Sequence, residues 1–163
     1  MNTHQLLYGV CVLLTGLVAG LFYGYQCSVI NGLGALKNRE YIAAFQNIDR
    51  VIQNPVFFAS FLGCVVLLPL TTYTFYRTET ASVMPYVLMA TITYMIGVFG
   101  VTIFFNVPLN NTLGAFDIQS ATDSQAQAVR LGFEKAWNKW HLIRTLAAIA
   151  SFMMLIIPLM KKV

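Results

Sequence analysis

The residues best suited to chemistry lie close together in the last third of the chain. They are the polar and aromatic side chains Glu134, Trp137, Asn138, Trp140, His141 and Arg144. Residues three or four positions apart share one face of an α-helix, so most of this set forms a single stripe. His141 is a candidate general base near neutral pH, and Arg144 is a candidate for holding an anionic oxygen. The rings of Trp137 and Trp140 could stack on a flat substrate.

A second polar group, Asn106-Val-Pro-Leu-Asn110-Asn111, stands about 25 residues before that stripe. We expect Pro108 to interrupt the preceding helix and turn the chain, which places the asparagine amides beside the stripe. The alternative is a structural Asn-Pro turn next to a belt of interfacial tryptophans. On the functional interpretation, the predicted substrate-binding residues are Asn106, Asn110, Trp137, Trp140 and Asn138, and the predicted catalytic residues are His141 and Arg144.

Metal and cofactor sites are not predicted. The two histidines, His4 and His141, should lie at opposite faces of a membrane, about 30 Å apart, so they cannot share a metal. The three cysteines have no CxxC spacing and lie in or near apolar stretches, which favours packing roles. Glycine-rich phosphate loops and a Ser-His-Asp arrangement are also missing from the sequence.

The composition excludes most soluble folds. Of 163 residues, 58% are hydrophobic and only 10% are charged, against about 25% charged in soluble domains. Mean hydropathy is +0.68. A short water-soluble chain could not cover its surface with so few charges, so the sequence predicts an integral membrane protein.

Charge-free stretches predict the number of membrane crossings. They cover residues 1–36, 51–76, 80–116 and 145–160, and a crossing helix needs about 20 apolar residues. The prediction is an all-α membrane four-helix bundle forming one domain over residues 1–163. The predicted spans are residues 6–30, 55–76, 84–105 and 141–160.

Two of the connections carry patterns of their own. Tyr41, Phe45, Ile48 and Ile52 recur at helical spacing in the first connection, which predicts an amphipathic helix at the membrane interface or, failing that, a connecting lid. The third connection is long, from residue 106 to residue 140. Within it, Thr122-Asp-Ser-Gln125 matches a capping box, which predicts a helix that runs unbroken into the fourth span.

Lysines and arginines favour one orientation. The first and third connections hold seven of them, while the side of the termini holds Arg77, Lys161 and Lys162. The positive-inside rule then places the termini on the non-cytoplasmic side of the cell (inner) membrane. The net charge of +4 fits contact with membrane lipid, and no basic cluster indicates nucleic acid.

Three glycines on the first span indicate close helix packing. Gly16, Gly20 and Gly24 stand four residues apart, a spacing that lets another helix approach closely. An internal partner is the favoured interpretation, and a homo-oligomer interface is the alternative.

The two polar groups together resemble a known family. Asn106-Val-Pro-Leu-Asn110-Asn111, followed by Trp137-Asn-Lys-Trp-His141-Leu-Ile-Arg144-Thr and an Ala-rich span, is similar to the anthrone oxygenase-like family of small four-span membrane proteins. The shared positions are Asn106, Pro108, Asn110, Trp137, His141 and Arg144. Some fungal members are linked to oxygenation of anthrones to anthraquinones, and most bacterial members lack an assigned reaction. The resemblance brings no catalytic assignment with it.

The leading hypothesis is a cofactor-independent oxygenase or related oxidoreductase acting on a flat, membrane-soluble phenolic or quinone-like compound. His141 would be the base and Arg144 the partner of the substrate oxyanion. The alternative is a non-enzymatic binding or assembly protein in which the same cluster holds a lipid or a partner chain.

Overall fold

The computed structural model describes residues 3–77 and 82–160, and all regular secondary structure within them is helical. Four helical stretches are long and apolar enough to cross a membrane. We name them spans 1 to 4: His4–Gly34, Pro55–Arg77, Met84–Gly114 and Asp123–Met160. Each stretch contains the span predicted from the sequence and extends beyond it at one or both ends. The all-α membrane architecture is confirmed, and the protein is an integral membrane protein.

The spans are built from α-helical and π-helical segments. In chain order the α-helices are α1 (Thr3–Gly24), α2 (Ile30–Gly34), α3 (Asn38–Ile52), α4 (Pro55–Arg77), α5 (Met84–Thr93), α6 (Val107–Gly114) and α7 (Asp123–Met160). Tyr25–Val29 in span 1, and Tyr94–Gly100 and Thr102–Asn106 in span 3, are π-helical. Turns of this kind are frequent at functional sites.

The two ends of the described chain lie on the same side of the bundle. The Tyr8 hydroxyl donates a hydrogen bond to the carbonyl of Leu155, so the start of span 1 lies beside the end of span 4. Lys161 and Lys162, on which the predicted orientation partly depends, lie outside the described residues.

Pro108 does not turn the chain, contrary to the expectation from the sequence. It is the second residue of α6, which continues span 3 directly after the π-helical segment Thr102–Asn106. A proline lacks an N–H and crowds the carbonyl four residues before it. The π-helical turn just before Pro108 replaces the regular i to i−4 hydrogen bonds of an α-helix, which leaves room for the proline ring. The helix therefore continues to Gly114.

The capping box is confirmed at the start of α7. The Gln125 N–H donates to Thr122 Oγ1 at 3.3 Å, and the Thr122 N–H donates to Gln125 Oε1 at 2.7 Å. The predicted helix then runs from Asp123 to Met160 as one element. Only residues 115–122 of the long third connection are non-helical.

Most of the buried apolar residues that the structure describes form two clusters. One fills the bundle and includes Phe22, Phe61 and Tyr94. The other, which we call the cap, joins α2, α3, α6 and the first half of α7; its buried members are Leu33, Tyr41, Ile42, Phe45, Leu113, Ala126, Phe133 and Trp137. The predicted amphipathic helix is therefore present as α3 and turns its apolar face toward α7.

Two arginines of the cap helices, Arg39 and Arg130, donate hydrogen bonds to carbonyls at or near the ends of neighbouring helices. Arg130 donates to the carbonyls of Leu36 at 2.7 Å and Gly34 at 2.9 Å, and to Glu134 Oε2 at 2.7 Å. Arg39 donates to the carbonyl of Ile118 at 2.7 Å. Glu134, although part of the polar stripe in the sequence, thus belongs to the cap.

Small residues bring the spans together. A Cβ at Gly16 would lie 2.9 Å from Cε2 of Phe152, so this glycine packs against span 4 within the chain. Gly20 and Gly24 have no such neighbour within 4 Å. A homo-oligomer through the glycine stripe stays a prediction.

Candidate functional site

A cavity of about 450 Å³ lies between the bundle core and the cap. Residues from all four spans and from α3 line it, and most of them are apolar. Its polar lining residues include Asp49, Gln53, Thr102, Asn110, His141 and Arg144. An apolar pocket with a few converging polar groups is the usual form of a small-molecule site.

Part of the cavity lining is both apolar and exposed. Leu21, Phe58, Leu62 and Ile103 are lining residues and are 41%, 39%, 43% and 41% exposed. They belong to the outer surfaces of spans 1, 2 and 3, which face hydrocarbon in a membrane. A membrane-soluble compound could therefore enter from the lipid side.

Arg144 reaches this cavity with a nearly buried side chain, 9% exposed. Its Nη1 donates to Thr102 Oγ1 at 3.3 Å, and its guanidinium carbon lies 4.5 Å from the centre of the Phe22 ring. Over residues 3–77 and 82–160, no carboxylate oxygen lies within 4.0 Å of it. A buried cation without a carboxylate partner is costly inside a membrane and marks a site for an anionic group.

His141 supports Arg144. Arg144 Nε and Nη2 lie 3.1 Å and 3.0 Å from His141 Nδ1. A guanidinium only donates, so Nδ1 must accept and the imidazole proton must lie on Nε2. Nε2 then donates to the carbonyl of Phe22 at 3.2 Å. Neither ring nitrogen is free to take a proton from a substrate in this arrangement, which does not favour the predicted role of His141 as base.

Aromatic rings hold His141 in place. Its ring is parallel to that of Trp137, with centres 4.9 Å apart and planes inclined by 7°. The Tyr25 ring centre lies 5.2 Å from the same imidazole. The imidazole is thus fixed by stacking as well as by hydrogen bonds. Because Arg144 is hydrogen-bonded to this imidazole, its guanidinium is held in place as well.

The predicted asparagines divide between two tasks. Asn110 lines the cavity, where its Oδ1 accepts from Trp137 Nε1 at 2.7 Å and its Nδ2 donates to Asp49 Oδ1 at 2.6 Å. Asn106 is fully buried outside the lining and donates to the carbonyl of Trp137 at 3.4 Å. Asn106 therefore joins span 3 to span 4, and Asn110 joins both to α3.

Trp140 and Asn138 are placed away from the cavity. Trp140 stacks on Phe105, with ring centres 3.6 Å apart. Neither Trp140 nor Asn138 lines the cavity. At about 100° per residue, Trp140 lies about 60° and Asn138 about 100° round the helix from Trp137. The part of α7 that lines the cavity, which includes Trp137, His141 and Arg144, is therefore narrower than the polar stripe predicted from the sequence.

Four further residues belong to the site and were not predicted: Phe22, Tyr25, Asp49 and Thr102. One of them carried a usable signal. Asp49 stands four residues after Phe45 and three before Ile52, so a carboxylate interrupts the apolar stripe of an amphipathic helix. The other three are ordinary residues of apolar spans, and no spacing singles them out.

Exchange of each tryptophan for phenylalanine should separate the site face from the outer face. Trp137→Phe leaves Asn110 Oδ1 without its donor, so we expect the free energy of unfolding to fall by about 1–3 kcal/mol. Trp140→Phe keeps an aromatic ring on Phe105 and should change stability by less than about 0.5 kcal/mol. Thermal unfolding in detergent measures both, and equal losses would contradict the placement of Trp140.

Among the described residues, no group of three or more His, Cys, Asp or Glu side chains lies together in a way that could hold a metal ion. The family model described as anthrone oxygenase matches residues 48–154, about two thirds of the chain. No curated protein and no solved structure matched. The matched region runs from the last part of α3 to residue 154 and includes Asn110, His141 and Arg144. The chain therefore belongs to the anthrone oxygenase family.

Proposed function

We propose that this protein is a membrane-embedded, cofactor-independent oxygenase that acts on a flat, hydrophobic phenolic or quinone-like compound of the anthrone type. Family membership supports the oxygenase class. The observation that carries the proposal is the buried guanidinium of Arg144, which has no carboxylate oxygen within 4.0 Å among the described residues and lies at a largely apolar cavity. Such a site suits a compound that dissolves in membranes and develops negative charge on one oxygen.

Charge stabilisation is the main contribution of the site. The carbonyl oxygen of an anthrone accepts a hydrogen bond from Arg144, and loss of a proton from the opposite ring methylene places an enolate charge on that oxygen. In an apolar cavity this interaction is stronger than in water. His141 and Thr102 orient the guanidinium, so little reorganisation is needed as the charge forms.

Dioxygen is the co-reactant and the oxidant. The enolate gives electrons to dioxygen, one oxygen atom becomes a new carbonyl on the former methylene carbon, and the other leaves as water with the two hydrogens. The ring methylene is oxidised and dioxygen is reduced, so the reaction balances without an added reductant. The reaction starts when a base removes the methylene proton.

Oxygen consumption by the purified protein tests the proposal. Anthrone in detergent micelles should consume dioxygen faster with the protein than without it, and isotopically labelled dioxygen should place one labelled atom in the quinone product. Protein-free micelles give the rate of spontaneous oxidation. An oxygen-consumption rate equal to that background, for protein that binds the compound, would contradict the proposed function.

Organic extraction combined with native mass spectrometry tests the non-enzymatic alternative. A co-purifying aromatic compound, lost in Arg144→Gln, would support the oxygenase. A stoichiometric lipid or partner chain held through Arg144, together with no turnover, would instead favour a binding or assembly role.

A further inference from the structure

We infer that Asp49 is the base that takes the proton from the substrate and passes it to water in a small polar pocket between α3 and α6. This inference rests on the proposed function and deepens it, because that function needs a base. His141 has no nitrogen free to accept a proton, as described above. Asp49 is the only acidic side chain among the described residues that line the cavity.

The Asp49 carboxylate is held in a defined position. Asn110 Nδ2 donates to its Oδ1 at 2.6 Å, and Gln53 Nε2 donates to its Oδ2 at 3.3 Å. A carboxylate offers about four acceptor positions, so these two bonds orient the group and leave lone pairs for a substrate proton. Through Asn110 the same carboxylate is tied to Trp137, one wall of the cavity.

A second, smaller pocket lies behind Asp49. Its volume is about 200 Å³, and its polar lining consists of Gln46, Asp49, Arg50, Gln53 and Asn110. Asp49, Gln53 and Asn110 also line the large apolar cavity. Asp49 therefore stands in the wall between an apolar substrate cavity and a polar pocket at the edge of the cap, where the proton can leave to water.

The surroundings of Asp49 raise its pKa overall. Partial burial raises the pKa of Asp49 above the usual value for aspartate, while hydrogen bonds from Asn110 and Gln53 and the charge of Arg144 on α7 oppose that rise. Tyr25 of span 1 also faces the group, and Arg50 follows it on α3. A carboxylate with a raised pKa is a stronger base than an ordinary one.

The step balances as a simple proton transfer. The C–H bond of the ring methylene breaks, its electron pair stays in the substrate as an enolate facing Arg144, and a bond forms between the proton and an Asp49 oxygen. Asp49 then releases the proton to water in the polar pocket. Dioxygen takes part only afterwards.

Hydrogen–deuterium exchange under argon tests this step apart from oxygenation. Anthrone in D₂O micelles should exchange its methylene hydrogens faster with the wild-type protein than without protein. Asp49→Asn keeps an oxygen for Asn110 but cannot take the proton, so we expect the added exchange rate to fall by about 10²–10⁴-fold. Asp49→Glu should recover part of it. Asp123→Asn removes a carboxylate that is 91% exposed and should leave the exchange rate unchanged.

Two further readouts separate a base from a structural residue. Anthrone affinity, followed by tryptophan fluorescence, should be nearly the same in Asp49→Asn as in the wild type. The wild-type exchange rate should rise as pH increases through the pKa of Asp49, because only the ionised form accepts a proton. This acid limb should be absent in Asp49→Asn.

The outcomes distinguish the two proposals. Wild-type exchange rates in Asp49→Asn, or loss of exchange in His141→Gln with Asp49→Asn unaffected, would overturn the assignment of Asp49 and leave the oxygenase proposal standing. Oxygen consumption without any anaerobic exchange would overturn proton abstraction as a separate first step. A wild-type protein that neither exchanges nor oxygenates anthrone would overturn both.

Discussion

Replacement of Arg144 by glutamine should lower kcat/KM for anthrone oxygenation by about 10²–10³-fold, the usual effect of removing one preorganised oxyanion donor. The cause is loss of the positive charge beside the substrate oxygen, since glutamine can still donate a hydrogen bond to His141. Arg144→Lys should not restore the rate, because a single ammonium cannot reproduce the planar fork that meets both His141 and Thr102. Initial rates of oxygen consumption measure the effect.

Thermal unfolding of the same variants separates function from structure. Arg144 has no carboxylate partner among the described residues, so its removal relieves the cost of a buried charge and should cost little stability. Lys135→Gln removes an exposed positive charge from the same helix and serves as the control for activity. Collapse of Arg144→Gln in detergent, with or without anthrone, would instead assign the residue a structural role.

Replacement of Gly97 by alanine should lower the free energy of unfolding by about 1–3 kcal/mol, the usual cost of forcing an extra methyl group into a packed interior. A Cβ at Gly97 would lie 2.6 Å from the Cβ of Ala147, closer than two methyl groups can approach. Span 3 would have to move away from span 4. Because Thr102 and Arg144 lie on these two spans, we also expect lower turnover.

Gly20→Ala is the matched control. No atom lies within 4 Å of a Cβ at this position, and alanine is favoured over glycine in a helix by about 0.5–1 kcal/mol. The two substitutions therefore have opposite expected signs in the same assay, thermal unfolding in detergent. Equal destabilisation of both variants would contradict the close approach of spans 3 and 4.

The polar stripe shows how far helical spacing predicts a site. Trp137, His141 and Arg144 were predicted to share a face, and they do meet, because intervals of three and four residues recur on one side of a helix. The same spacing also admitted Trp140, which the structure places on Phe105. Helical spacing predicts which side chains share a broad face of a helix. The packing of the neighbouring spans decides which part of that face lines a cavity.

Helical spacing does not predict contacts between residues that are distant in sequence. Phe22, Asp49 and Thr102 come from three other elements and meet Arg144 or its cavity only after the spans pack. The tautomer of His141 also depends on tertiary packing, because the Arg144 guanidinium donates to Nδ1 and so leaves the imidazole proton on Nε2. Such features depend on the relative positions of helices, which local spacing does not contain.

The amino-acid sequence alone is enough to predict a helical membrane bundle with four spans, because burial of backbone polar groups in lipid and the thickness of the hydrocarbon leave few other solutions for such an apolar chain. It also determined the amphipathic α3, the capping box at Thr122 and the family to which the chain belongs. The position of Asp49 at the cavity of Arg144 could be seen only in the packed fold, because contact between α3 and the spans arises from side-chain packing across the bundle and cap.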